Sequence, residues 1–224
     1  ETFGREGSVD AKEVNEAILN ALTNGTTAIR LDLRNGLGAD DVAAVLKDVY
    51  PELAPISLQA GSQLPAALDA LNAYLDGADV KDPANLEIEL SASPLTSLYT
   101  GADDVELDKA VEMAVEAAKN PGTVRTFLVD GVAFANMGAT DSQEIGLALA
   151  VGVAYLRAMT DAGLSTEEAL NQIAFRYSAT DDQFNTIAKF RSARELWARV
   201  AEVAGAPGLG SAPNHAVTAP VMFS

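Results

Sequence analysis

FLVDGVAFANMGATDSQEIG, residues Phe127 to Gly146, reads as a buried strand, then a loop, then a helix with a polar start. In a barrel of alternating strands and helices, the end of such a strand is where chemistry sits. Here the strand end carries Val132, Ala133, Phe134 and Ala135, and none of these can move a proton. The stretch therefore asks whether it is an active site or the place where one used to be.

Working outward, helix and strand patterns alternate along the whole chain. SVDAKEVNEAILNALTNG predicts an amphipathic helix with Ser8 as N-cap and Gly25 as its stop. Strands are expected at TAIRLDL, PISLQAG, LEIELSA, VRTFLVD, QIAFRYS and HAVTAP. Between them lie helical stretches at GADDVAAVLKDVY (ended by Pro51), LPAALDALNAYLDG and about Asp103 to Lys119. A long apolar helix, SQEIGLALAVGVAYLRAMTDAG, follows the opening stretch. STEE (Ser165–Glu168) and TDDQ (Thr180–Gln183) have the capping-box form, the second before QFNTIAKFRSARELWARVAEVAG. The repeated GADDV (38–42 and 101–105) is better explained by capping needs at helix starts than by duplication. Strands separated by helices imply right-handed βαβ units and a parallel sheet. The expected fold class is α/β, a (β/α)8 TIM-type barrel incomplete at its ends; a doubly wound sheet also fits about six units.

The chain has 224 residues with 32 Asp+Glu against 15 Lys+Arg, a net charge of −17. Such a surface repels phosphate backbones and anionic lipid, which argues against nucleic acid and membrane partners. No apolar run approaches the roughly 20 residues of a membrane span, and no signal peptide is visible. The absence of cysteine excludes disulfides and thiolate metal sites and fits a reducing cytoplasm. The first residue is Glu1 rather than Met, so an excerpt of a longer chain is expected.

Chemistry is sparse. With one histidine, His215, and no cysteine, a first-row metal site lacks its usual donors, and none is expected. There is no GxSxG elbow and no Walker sequence, and GAPGLGSAP reads as a loop. Asp32, Glu87, Glu89 and Asp130 lie in or near strands. Glu87 and Glu89 share a face and form either an acid/base pair or, more simply, a solvated edge face or partners for arginines. Asp130 is a turn cap or, second, a catalytic acid. Arg176 inside AFRYS needs a partner, most simply a strand carboxylate.

DGVAFANMGATDSQEIGLALAVGVAYLRAMTDAGLSTEEA, QIAFRYSATDDQFNTIAKFRSARELWARV and NHAVTAP, within about residues 124–223, resemble the barrel of the methylmalonyl-CoA mutase family. AILNALTNGTTAIRLDL onward is a looser match, closest to that family's small subunit. The resemblance implies a radical carbon-skeleton rearrangement between methylmalonyl-CoA and succinyl-CoA, with adenosylcobalamin supplying the radical. It implies coenzyme A threading the barrel axis, a separate C-terminal cobalamin domain absent from residues 1–224, and a heterodimer of a catalytic large subunit with an inactive small one.

Carried over one position at a time, the resemblance implies an emptied site. The family's His after a Gly-Tyr pair falls on Ala133, after Gly131 and Val132. Its substrate Arg and Ser fall on Gln172 and Ala174. Its later His is kept as His215, the one residual cofactor-binding candidate, but the Gln two residues on is Val217. The family's carboxylate-clamping Arg has no counterpart between Lys81 and Lys109. The implied role is a non-catalytic partner of the large subunit, with adenosylcobalamin on that subunit and none on this chain. Its barrel interior is expected to be packed, with Phe134, Met137 and Phe175 as fillers. Tyr155 and the helix around Arg191, Arg194 and Trp197 are expected either at the large subunit or against the chain's own sheet. Two other readings compete: an active acyl-CoA mutase with altered substrate, using Arg176 or His215, and a barrel fragment with some other small-molecule site.

Overall fold

A computed structural model describes residues 1–4, 10–120 and 122–219. Ser8, the expected first cap, lies outside them; Asp10 caps the first helix, its carboxylate accepting from the Lys12 amide. Among the described residues, seven strands form one sheet: β1 (Thr2–Phe3), β2 (Ile29–Asp32), β3 (Ile56–Gln59), β4 (Glu87–Ala92), β5 (Thr123–Asp130), β6 (Ile173–Ala179) and β7 (Asn214–Thr218). All neighbours are parallel, and strand order follows chain order without reversal. A doubly wound sheet requires a reversal, so that alternative is excluded. The sheet also curls: His215 of β7 reaches Glu89 of β4 at 2.7 Å, although β5 and β6 lie between them.

Helices cover the outer face: α1 (Ala11–Thr23), α2 (Val42–Val45), α3 (Leu64–Gly77), α4 (Pro94–Thr100), α5 (Leu107–Ala117), α6 (Gly131–Asn136), α7 (Asp141–Asp161), α8 (Thr166–Asn171) and α9 (Gln183–Val203). Alternation along the strands aims Ile29, Leu31, Ile56, Leu58, Ile88 and Leu90 at them, and these residues are buried. Phe127 stacks on Tyr155 of α7 with centroids 4.4 Å apart. Phe175 meets Trp197 of α9 edge-on at 4.8 Å. Tyr155 and Trp197 thus pack against the chain's own sheet, whereas Arg191 and Arg194 are exposed.

Several expected elements differ for local reasons. The helix from Gly38 to Tyr50 shrinks to a 3-10 turn and the single turn of α2. Its next carbonyls are already taken: the Asn15 amide donates to Val45 and Lys47, and the Tyr74 hydroxyl to Leu46 and Val49. The second GADDV starts no helix. Gly101 ends α4 in the left-handed region, and Asp104 accepts from the Ser93 amide and the Ser97 hydroxyl. The Ser165 box holds as expected, but at α9 the cap is Asp182, not Thr180.

The largest correction falls on the opening stretch. Val132 to Ala135 are not the end of a strand but the body of α6. The chain leaves β5 at Gly131, where a Cβ would stand 2.9 Å from the Arg176 carbonyl oxygen and 3.1 Å from a Glu144 carboxylate oxygen. Only glycine passes there, and the turn begins at once.

A polar row on the inner face as the candidate functional site

Strand register puts one polar residue after another on the inner face. Thr2, Arg30, Ser57, Glu89 and Arg125 are consecutive cross-strand partners on β1 to β5. Asp130, Arg176 and His215 are partners on β5 to β7. A register shift between Glu89 and Ala92, with Ser91 at φ 49°, adds the Ser91 hydroxyl to the same group.

Glu89 is the hub. Its Oε1 accepts from Arg30 Nη2 at 2.9 Å, Ser91 Oγ at 2.9 Å and Ser57 Oγ at 3.2 Å. Its Oε2 pairs with His215 Nε2 at 2.7 Å. Burial pushes this carboxyl up, but the hydrogen bond and charge of His215 and the charge of Arg30 together outweigh it and hold the pKa at about 2. Asp130 takes Arg176 in a two-point fork, through Nε at 3.0 Å and through Nη2. The plainer sequence expectations for Glu89 and Arg176, an arginine partner and a strand carboxylate, therefore hold; Asp130, expected first as a turn cap, stands at the N-cap of α6 but makes no side-chain cap bond, because its carboxylate is taken by Arg176. Burial pulls the Arg30 guanidinium below its ordinary value despite Glu89, and Arg176 adds to the fall.

A pH prediction follows from Glu89. Its folded value lies below the ordinary carboxyl value of 4.5. Its contribution to stability is complete above that value and is lost as pH falls towards about 2. Denaturation midpoints measured across this window are expected to fall with pH in the parent. Glu89→Gln should start lower and fall less steeply.

The positions carried over from the family do not converge. Ala133 is in α6. Gln172 sits before the start of β6, at the opposite end from the strand C-termini, buried and used up: its amide donates to the Val124 carbonyl and its oxygen accepts from the Thr126 amide and hydroxyl. Ala174 and Val217 lie on β6 and β7, in phase with Arg176 and His215. His215 is engaged by Glu89.

The expectation of an apolar, packed interior is overturned. Phe134 contacts Tyr99 of α4, and Met137 is more than half exposed beside them. Phe175 belongs to the outer core. All three leave the inner face because α6 turns away from it and because Phe175 alternates with Arg176. The inner face instead keeps a cavity of about 420 Å³ lined by Arg30, Ser57, Glu89, Arg125, Arg176 and His215 among others. Sequence reasoning missed Arg30 as Glu89's partner; the signal was a lone arginine in the apolar strand IRLD. It also missed Lys189, buried in α9, which donates to Glu144 and Ser178.

Among the described residues, no group of three or more His, Cys, Asp or Glu is placed to hold a metal ion. No helix among them is long and apolar enough to cross a membrane.

A family model described as methylmalonyl-CoA mutase matches residues 95–212. A protein named probable methylmalonyl-CoA mutase small subunit, from Mycobacterium tuberculosis (strain ATCC 25618 / H37Rv), is 41% identical over 225 residues, covering 100% of this chain and 36% of that protein. The methylmalonyl-CoA mutase small subunit of Streptomyces virginiae is 41% identical over 98% of this chain and 36% of its own length. That of Propionibacterium freudenreichii subsp. shermanii is 32% identical over 88% and 31%. The chain spans about a third of the length of these curated relatives.

Proposed function

Because the chain belongs to the methylmalonyl-CoA mutase family, we propose that it is part of a non-catalytic small subunit, one that supports a catalytic large subunit in a heterodimer interconverting methylmalonyl-CoA and succinyl-CoA. Residues 1–224 make up most of a (β/α)8 barrel of a longer cytoplasmic protein; the lack of cysteine agrees with that compartment. What supports the reading is the identity of the residues at the positions carried over from the family. Ala133, Gln172, Ala174 and Val217 carry no acid, and Gln172 is sealed in hydrogen bonds. The loss of even one donor aimed at developing charge costs roughly 3 kcal/mol of transition-state stabilisation, so losing several together leaves little catalysis.

Adenosylcobalamin supplies the radical in this chemistry when bound. This chain's donors do not suit it: its single imidazole is turned into the inner face and paired with Glu89. We assign the cofactor to the large subunit.

The polar interior favours a second reading, an active acyl-CoA mutase with altered substrate. Against it, Arg176 and His215 are each already paired with a carboxylate. Assay of the complete protein with adenosylcobalamin under anaerobic conditions, alone and with the large subunit, separates the two. Turnover is expected only with the large subunit present, together with co-elution of the two chains. Turnover by the small subunit alone would establish the second reading.

A further inference from the structure

Among the described residues, one donor in the inner row has no acceptor. Arg30 Nη1 is buried and makes no hydrogen bond. Leaving a charged donor unpaired away from water costs more than an ordinary hydrogen bond returns. Glu89 cannot turn to serve it, because both carboxylate oxygens are already engaged, Oε1 by three donors and Oε2 by His215. Asp130 is held in the fork with Arg176. Ser57, the cross-strand neighbour of Arg30, is committed to Glu89 and Ser91. The missing acceptor must therefore come from outside these side chains.

The surroundings say what kind of acceptor fits. Arg30, Arg125, Arg176 and His215 line the same cavity of about 420 Å³. Arg125 and Arg176 reach its wall from different strands, and the charge of Arg176 is felt at Arg30. Three guanidinium groups share this wall with three carboxylates, Glu1, Glu87 and Glu89, of which Glu1 and Glu87 are exposed and screened by solvent. A guanidinium's planar edge matches a carboxylate better than a spherical ion, and the single open donor, Arg30 Nη1, calls for one carboxylate rather than two.

We propose that the inner face binds the carboxylate of a compact organic monoacid between Arg30 and Arg176. This goes beyond the supporting role proposed above. Apart from His215, which only walls the cavity, it uses none of the positions carried over from the family.

The test uses the complete protein with sodium acetate as the probe, titrated at constant ionic strength against sodium chloride and sodium sulfate. The thermal midpoint should rise saturably with acetate, and less with either inorganic salt. Calorimetric titration should give one site per chain. Arg30→Gln should bind acetate about tenfold more weakly or worse, the size of one lost charge-assisted hydrogen bond. Should that variant not fold, saturation transfer from the parent protein to the acetate methyl group, reversed by excess formate, gives the same reading. Superimposable acetate and chloride curves, absent saturation transfer, or unchanged binding in a folded Arg30→Gln would overturn the proposal and leave water as the partner of Nη1. A stronger response to sulfate would overturn the choice of a monoacid. None of these readouts involves mutase turnover, so the site and the supporting role can fail separately.

Discussion

Lys189→Ala is expected to destabilise the protein by roughly 3–5 kcal/mol, the range for removing one partner of a buried ion pair. Lys189 is 2% exposed on the inward stripe of α9 that also carries Ala193, Trp197 and Ala201. Its ammonium has three protons and three acceptors: Asp141 Oδ1 at 2.8 Å, Glu144 Oε2 at 2.8 Å and Ser178 Oγ at 2.7 Å. Glu144, 1% exposed, also takes the Ser178 amide and hydroxyl, each at 2.7 Å. The cluster thus ties the start of α7, the end of β6 and the body of α9 together. Without the lysine, a carboxylate stays buried with no counter-charge. Lys189→Met combined with Glu144→Gln removes both charges, and it should recover a large part of the loss. Thermal midpoints of Lys189→Met, Glu144→Gln and the double variant, read as a cycle, check this. Additive losses would mean that the pair is not coupled.

The same cluster explains why part of the molecule was legible and part was not. The spans of α3 and the positions of β5 and α7 follow from periodicity and punctuation, which are local. The strand and helix types alone already pointed to a parallel sheet. Lys189 was visible only as a charge in phase with Ala193 and Trp197, and nothing in the sequence names Glu144, 45 residues away, as its partner. The inner row is a stronger case. Glu89 and Arg176 stood out singly as charges inside strands, and their pairing with some opposite charge was a sound expectation. Which charge depends on register: Arg30, Ser57 and Glu89 come level only when β2, β3 and β4 align. The curl that brings His215 across to Glu89 is more distant still.

The opening stretch misled for a different reason. Val132 to Ala135 are apolar and follow a strand without a break, so they look like its continuation. The switch to α6 comes at Gly131, which is crowded by Arg176 and Tyr177, far along the chain, and by Glu144 from the start of α7. The resemblance implied positions without acids, because that is a matter of residue identity. It did not predict that the interior would keep its charges. Losing the family's groups does not imply apolar filling: apart from His215, the row built on Glu89 uses other positions.

Phe175→Ala tests that distinction and carries the second large effect, a loss of roughly 3–5 kcal/mol, typical of a buried aromatic truncated to alanine. Phe175 is 1% exposed. Its ring lies nearly parallel to Tyr177, with centroids 5.8 Å apart, and meets Trp197 edge-on at 4.8 Å. α7 approaches the pair through Gly152, where a Cβ would stand 3.0 Å from Trp197 and 3.1 Å from Phe175. A void left there cannot close easily, because β6 holds the backbone on one side and α7 and α9 are already in contact on the other. The thermal midpoint should fall accordingly. Acetate binding on the inner face should stay unchanged in the folded fraction, because Phe175 alternates with Arg176 and points away from the cavity. Had Phe175 filled the barrel, truncation would enlarge the inner cavity and alter that binding. A large loss of stability with unaltered binding places the aromatic core and the polar row on opposite faces of one sheet.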